Sequence, residues 1–578
     1  VPHAFPGPEL LSDALYWKVM TERAPSGETF NRAWNDDLDL AITALARNKA
    51  GVDDEAGKLL LVASQERLFD LAVDLAYEGR EAIGATATAQ RILQLSEAHR
   101  STLLKERLNA FKGIRFAGVP DSVVAREQEL IAALAVTAAD RGSATAMHAN
   151  DSTYHAFLVR LEKSHPAYFA LRYGEPTTTL ADLRRHLLKP GRLLLSFTIT
   201  DSSVHALVVG HAEEHIVRSS AVGLDAEVSA FNAAIAERNV GEYVRLGHLL
   251  HQRLIAPVAP YLTGNELLII PDGPLHTINF ETLLDAPSDR AGYKAHLLVH
   301  RFAIANLLSA TTAVRFAELA RERTAATLAL APGFTDEVKQ GYRALVPDTT
   351  RLDRHFLSYV RQPFALRTAE GLGSVMRADL LLGMQANERS FRDAAPRYGI
   401  LHLGTHAEMN ATDPMYSRLV LSKDGEGVDP DQDGYLHAYE IYELDLRAQL
   451  AVLTACETGA GVSDGEGVRS IGYSFAYAGC PSLVMSLWNI DEKVSAEVIE
   501  RFYEYLADGL PKHEALRRAK LDHLNEASDE LAMPYYWAGL VLVGDVEPVG
   551  LSWWSRYRWW LVVGLLLLVA GTFWWRRR

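Results

Sequence analysis

At 578 residues, 48% hydrophobic and 23% charged, the chain has the composition of a globular protein, is long enough for more than one domain, and is not disordered in bulk. Its formal net charge of −15 argues against general nucleic-acid binding, and its two cysteines, Cys456 and Cys480, rule out a disulfide framework. A reducing compartment is expected, where a thiol nucleophile survives.

The first residues, Val-Pro-His-Ala, carry no basic segment followed by an apolar run, so no signal peptide is expected, and the missing initiator Met suggests a truncated or processed chain. Residues 1–168 read as a helical region. Apolar residues recur at three- and four-residue spacing over Asp37 to Ala46, Lys58 to Tyr77 and Ala87 to Asn109. Pro120 and Asp121 open an Ala-rich amphipathic run to about Ala139, and Ser152 to about Ser164 is another helix, stopped by Pro166. Weak Ala/Leu/Tyr periodicity suggests tetratricopeptide (TPR) repeats without a clean self-match, and a plain helical bundle is the alternative.

From about Gly191 the pattern changes to short apolar runs separated by helical stretches. Arg192-Leu-Leu-Leu-Ser-Phe-Thr-Ile-Thr and Ser203-Val-His-Ala-Leu-Val-Val read as a hairpin. Runs beginning at Leu267, Ala326, Ile400, Ala451 and Ser482 read as buried strands. Helices are expected over Val494 to Asp508 and Lys512 to Ala527, with a last strand in Trp537 to Val543. Buried strands alternating with helices predict a mostly parallel sheet covered by helices.

Two strand ends carry chemistry. Gly399-Ile-Leu-His-Leu-Gly-Thr-His406-Ala and Leu450-Ala-Val-Leu-Thr-Ala-Cys456-Glu-Thr-Gly place a histidine and a cysteine 50 positions apart, each just past an apolar run. In a parallel sheet the C-terminal strand ends are where sites are built, and a thiol and an imidazole at one edge make a nucleophile and a base. Taken alone, Cys456 would more often be a buried core thiol and His406 a packing histidine. His402, inside its strand, and Cys480, before a proline, read as packing residues.

Together with Ile269-Ile-Pro-Asp-Gly-Pro-Leu-His-Thr-Ile-Asn-Phe-Glu-Thr-Leu, Leu436 to Leu446, Gly472 to Leu487 and Trp488-Asn-Ile-Asp491, these stretches resemble the CHAT domain, a caspase-like and separase-like cysteine peptidase fold of clan CD. The resemblance covers about residues 175–545, and the preceding helices look like the TPR partner these domains often carry. It implies an α/β caspase-like fold and catalytic roles for Cys456 as nucleophile and His406 as base. The backbone N–H groups of Cys456 and Ala407 are the natural oxyanion donors. Ala407 stands where caspase-like enzymes usually carry Gly, which touches the geometry rather than the chemistry. By the same resemblance Asp491 selects Arg or Lys before the cut and Trp488 walls that pocket; the alternatives are a helix-capping acid and a packing ring.

Asp429-Pro-Asp431-Gln-Asp433-Gly434, with Glu440 at the twelfth position, fits the EF-hand calcium loop, although a strand rather than a helix is expected before it. Calcium at this loop is the single cofactor candidate; a turn without metal is the alternative.

After a linker at 546–557, residues 558–575 contain a 17-residue uncharged run, Trp559 to Trp575, bracketed by tryptophans and arginines. As a helix it would span roughly 25 Å. It predicts a single transmembrane helix, a tail anchor with the catalytic body in the cytoplasm. The resemblance, taken with the anchor, implies a membrane-anchored cysteine endopeptidase acting on protein substrates in a bacterial regulatory, immunity or cell-death pathway. Its helical region would bind a protein activator, and no nucleic acid is expected as a direct partner. The alternative is a membrane-anchored interaction scaffold without turnover.

Overall fold

The computed structural model describes residues 8–26, 30–49, 57, 65–100, 104–105, 122–123, 126, 129–130, 153–154, 156–161, 163–165, 178–318, 324–424, 432–459, 462–464 and 467–550. The helix expected over 121–139 lies almost wholly outside these residues, as do the transmembrane segment at 558–575 and most of its linker.

Among the described residues the helical region contains α1 (Pro8–Ser26), α2 (Arg32–Lys49), α3 (Glu66–Glu78) and α4 (Ala85–His99), with a single turn at Arg80–Ile83 between the last two. The helical spacing of Leu68, Leu71, Ala72 and Leu75 puts them on one stripe of α3, where they meet Trp34, Leu38, Ile92 and Leu95 in one buried cluster.

The rest of the described chain is built on an eleven-stranded sheet in the order β3-β2-β1-β4-β5-β16-β15-β12-β8-β6-β7. Its strands are β1 (Arg192–Ile199), β2 (Ser203–Val209), β3 (Glu214–Ser220), β4 (Glu266–Ile270), β5 (Ala303–Asn306), β6 (Thr327–Ala331), β7 (Asp379–Leu382), β8 (Ile400–Leu403), β12 (Leu450–Leu453), β15 (Ser482–Ser486) and β16 (Leu540–Gly544). Two parallel blocks, β1-β4-β5-β16 and β15-β12-β8-β6-β7, meet in an antiparallel pairing of β16 with β15. The β1–β2–β3 meander closes one edge. β8 and β12 are buried at every position, as strands covered on both faces must be. The mostly parallel, helix-covered sheet expected from the sequence is therefore present. Two small sheets lie beside it: β9 (His406–Glu408), β10 (Arg418–Val420) and β11 (Tyr435–His437), and the pair β13 (Val462–Asp464) and β14 (Gly467–Arg469).

Helix α5 (Leu180–His186) leads into β1, and α6 (Leu224–Ala236), α7 (Val240–Leu254) and α8 (Ala310–Glu318) belong to the first block. The second block carries α9 (Asp336–Leu345), α10 (Arg354–Ser358), α11 (Pro363–Val375), α12 (Glu388–Ala394), α13 (Ala438–Tyr442), α14 (Ile471–Tyr477) and α15 (Glu492–Ala507), and α16 (Lys512–Glu526) packs on β5 and β16 of the first. The helical region is joined to this body by buried polar bonds. Glu97, 2% exposed, accepts the N–H groups of Ala310 and Thr311 at 2.9 and 2.7 Å, placing its carboxylate on the positive end of α8. Ser96 and Thr198 share a hydrogen bond of 2.7 Å.

The expected membrane localisation is corrected. Among the described residues no helix is long and apolar enough to cross a membrane. The long helix α15, for one, buries Val494, Val498, Ile499 and Phe502 but also carries Lys493, Glu497, Glu500 and Arg501.

Candidate active site

β8 and β12 are parallel neighbours in register, with Leu403 opposite Leu453, and the Thr454 N–H continues the ladder to the Leu403 carbonyl at 3.0 Å. His406 and Cys456 each follow three residues after these paired ends. The fold therefore delivers both to one edge of the sheet.

The turn carrying Cys456 is held from the end of β15. The Ser486 hydroxyl donates to the Ala455 carbonyl at 2.5 Å and accepts the Thr458 N–H at 3.2 Å, and the Gly459 N–H donates to the Ser486 carbonyl at 2.8 Å. A Cβ on Gly459 would stand 3.0 Å from that carbonyl, tight enough that a side chain there would push the turn off Ser486 by a few tenths of an ångström. Glu457, directly after the cysteine, has φ +56°, a left-handed conformation uncommon for a residue with a side chain, and its carboxylate accepts the Asn489 amide at 3.0 Å. The Cys456 thiol is half-buried. Burial raises its pKa, an Ile490 N–H bond opposes this, and Glu457 and Glu492 add to the rise. It is thus a protonated thiol at neutral pH.

Beside the thiol lies a cleft of about 40 Å³ whose polar lining is Gln362, Thr368, Thr454, Glu492 and Ser495. Glu492 accepts the N–H groups of Phe364 and Ala365 at 2.9 and 3.2 Å, at the start of α11. Burial nevertheless raises its pKa. Among the described residues the buried Gln362 side-chain carbonyl has no hydrogen-bond partner.

His406 Nε2 stands 2.9 Å from the Val360 carbonyl. A carbonyl only accepts, so the ring proton belongs on Nε2 and the Nδ1 lone pair is left for a proton. The ring stacks on Tyr359, centroids 5.1 Å apart and 22° between planes, and meets Phe334 at 4.9 Å. Phe334 is presented from a left-handed turn, φ +47°, following Gly333 at φ +66°. Burial lowers the His406 pKa, the Val360 carbonyl and Glu408 raise it, and Lys339 lowers it. The net downward shift keeps the imidazole neutral at pH 7, the state a base needs. Among the described residues no hydrogen bond joins His406 to Cys456.

The other expected site residues are placed as follows. Ala407 lies within β9, opposite Leu419 of β10. Asp491 is the N-cap of α15, its Oδ1 accepting the Val494 N–H at 2.9 Å; the acid that lines the cleft is its neighbour Glu492. Trp488 donates its indole N–H to the Tyr535 carbonyl at 3.1 Å and packs on Gly539, with Ile490 rather than the indole lining the cleft. Asp429 and Asp431 lie outside the described residues. Asp433 accepts the Tyr435 N–H at 2.8 Å, and Glu440 accepts the His437 N–H at 2.7 Å in a capping box for α13. Glu440 is also packed against Glu388, whose pKa burial and the Glu440 charge push up to about 9. Both described carboxylates accept backbone N–H groups, and β10 precedes the loop. No group of three or more His, Cys, Asp or Glu side chains among the described residues could hold a metal. His402 is buried, with burial pushing its pKa down to about 4, and Cys480 is buried, its thiol donating to the Ser482 carbonyl at 3.3 Å. Cys480 lines a separate apolar cavity of about 210 Å³ with Phe316, Leu483 and Val543.

Sequence reasoning missed the Val360 carbonyl, Tyr359, Gln362 and Ser486. A main-chain acceptor leaves no residue-type signal, and the other three reach the site only through tertiary packing.

Comparison with known families finds the CHAT domain over residues 244–545, just over half of the chain. No curated protein matches it. Among solved structures it is similar to a chain of the Saccharomyces cerevisiae separase–securin complex, with 9% identity and a TM-score of 0.38, over 92% of this chain and 52% of that one. The chain thus spans about half the length of that protein.

Proposed function

The chain belongs to the CHAT domain family, and we propose that it is a caspase-like cysteine endopeptidase in which Cys456 is the nucleophile and His406 the general base. One observation carries this reading: the Val360 carbonyl holds the Nε2–H of His406, leaving Nδ1 as a base at the sheet edge that also presents Cys456.

In the proposed reaction Nδ1 takes the thiol proton as sulfur bonds to the scissile carbonyl carbon. The backbone N–H groups of Cys456 and Ala407 receive the developing oxyanion. Collapse breaks the C–N bond while Nδ1–H protonates the leaving amine. Water, deprotonated by Nδ1, then attacks the thioester, releasing the new carboxyl terminus and restoring the thiol. The substrate is a protein, and the acceptor-rich cleft with Glu492 and the unpartnered Gln362 carbonyl suits a basic side chain before the cut. In this reading selection rests on Glu492 rather than Asp491. The N-terminal helices, read as TPR-like, dock an activator in a bacterial regulatory or immune pathway.

The test is to incubate the full chain with a cell lysate and map new protein N-termini beside Cys456→Ala. Cuts that need Cys456 and follow Arg or Lys support the whole reading; cuts after other residues refute the basic pocket alone. The second reading, an interaction scaffold, is favoured by the protonated thiol and by the missing bond between Cys456 and His406. It is preferred if Cys456→Ala leaves cellular function intact.

A further inference from the structure

The groups that hold His406 converge on one short turn, residues 359–362, between α10 and α11. Tyr359 supplies the ring that stacks on the imidazole, and Val360 supplies the carbonyl. The Val360 side chain is 68% exposed, so its main chain is what the site uses. The turn is pinned by its own backbone: the Tyr359 carbonyl accepts Lys339 Nζ at 2.6 Å and the Gln362 N–H donates to the Gly333 carbonyl at 3.0 Å.

The remaining anchor is Glu408. It lies two residues after His406 on β9 and so on the same face. Its carboxylate accepts the Tyr359 hydroxyl, pairs with His355, and takes Arg418 Nε at 2.9 Å.

We propose that Tyr359 and Glu408 are positioning residues for His406: their hydrogen bond fixes the turn whose carbonyl sets the tautomer and ring orientation of the base. This rests on the dyad reading above. If the turn drifts, Nε2 loses its acceptor, both neutral tautomers are populated, and the ring is free to rotate away from the thiol. Burial and the Glu408 bond raise the Tyr359 pKa far above its ordinary value, so the phenol remains a donor at any working pH. The charged groups acting on the imidazole are Glu408 and Lys339, and Glu408 is itself paired with Arg418 and His355, so that Arg418 offsets its charge. The carboxylate therefore acts chiefly as an acceptor.

The test measures the rate of Cys456 alkylation by iodoacetamide on the full chain between about pH 5 and 9, with melting temperatures. The proteins are wild type, His406→Ala, Tyr359→Phe, Glu408→Gln and Glu408→Ala. The part of the wild-type rate lost in His406→Ala reports the base. Tyr359→Phe keeps the stacked ring and should lose about tenfold of that part without a lower melting temperature. Glu408→Gln keeps an acceptor and should retain most of the rate, while Glu408→Ala should fall as Tyr359→Phe does. In ¹⁵N-histidine spectra the His406 signal should be the Nε2–H form in wild type and a tautomer mixture in Tyr359→Phe. Tyr359→Phe at the wild-type rate, or Glu408→Gln falling as far as Glu408→Ala, overturns the positioning role alone. Identical rates in wild type and His406→Ala overturn the dyad and this proposal with it.

Discussion

Ser486→Ala should loosen the nucleophile turn without touching the cleft. The serine is fully buried at the end of β15, and its hydroxyl spans the turn from the Ala455 carbonyl to the Thr458 N–H. Thr458 Oγ1 approaches the same carbonyl at 3.4 Å, too long to replace the 2.5 Å bond. Alanine therefore leaves the buried Thr458 N–H without its acceptor and the Ala455 carbonyl with only that long bond, a loss of about 2–4 kcal/mol together. The flanking cysteine precedes a residue already held at φ +56°, so relaxation moves Cys456 itself. A displacement near 1 Å costs about a hundredfold in rate. Urea unfolding followed by tryptophan fluorescence measures the first quantity, and proteolysis of a protein substrate relative to wild type measures the second. A stability within about 0.5 kcal/mol of wild type would refute the reasoning, as would full activity in a destabilised protein.

Three further outcomes are expected. Because burial lowers the His406 pKa, imidazolium forms only at a pH below the usual value near 6.5; the acid limb of the proteolysis profile should lie below that value, and a limb above it contradicts the assignment. Glu388 has a folded pKa near 9 against an ordinary carboxyl of 4.5, so the folded state holds a proton that the unfolded chain releases. The stability this confers is complete below about pH 4.5 and declines as pH rises toward 9. Glu388→Gln should flatten that decline in urea titrations across the range, and an unchanged slope counts against the shared-proton pair. Glu97→Ala strips the carboxylate from the start of α8 and leaves the Ala310 and Thr311 N–H groups buried without it, a loss of about 2–4 kcal/mol. Limited proteolysis should then cleave between the helical region and the α/β body faster than in wild type, and an unaltered digestion pattern argues that the two are joined mainly elsewhere.

The strands that build the site were legible because burial on both faces leaves a continuous apolar run, as in Ile400–Leu403 and Leu450–Leu453, and a residue just past such a run lies at the sheet edge. Short or half-exposed strands such as β3 and β7 left no such mark, with burial mixed along their length. Asp491 was legible as an acid at a helix start, but sequence adjacency could not tell which of Asp491 and Glu492 caps α15 and which turns toward Cys456; the phase of the first helical turn settles that. The calcium spacing around Asp433 and Glu440 was equally visible, whereas the turn N–H and the capping box that these two side chains serve are contacts which spacing does not reveal.

By itself, then, the sequence determined the helix-covered parallel sheet and that a cysteine and a histidine each stand just past one of its strands, because period and burial are local properties of the chain. Only the tertiary structure decided how that imidazole is held. The Val360 carbonyl lies 46 residues before His406 and belongs to the backbone. Its place depends on Tyr359, Glu408, Lys339 and Gly333 meeting across four separate elements, and contacts between distant segments leave no periodic trace in a linear sequence.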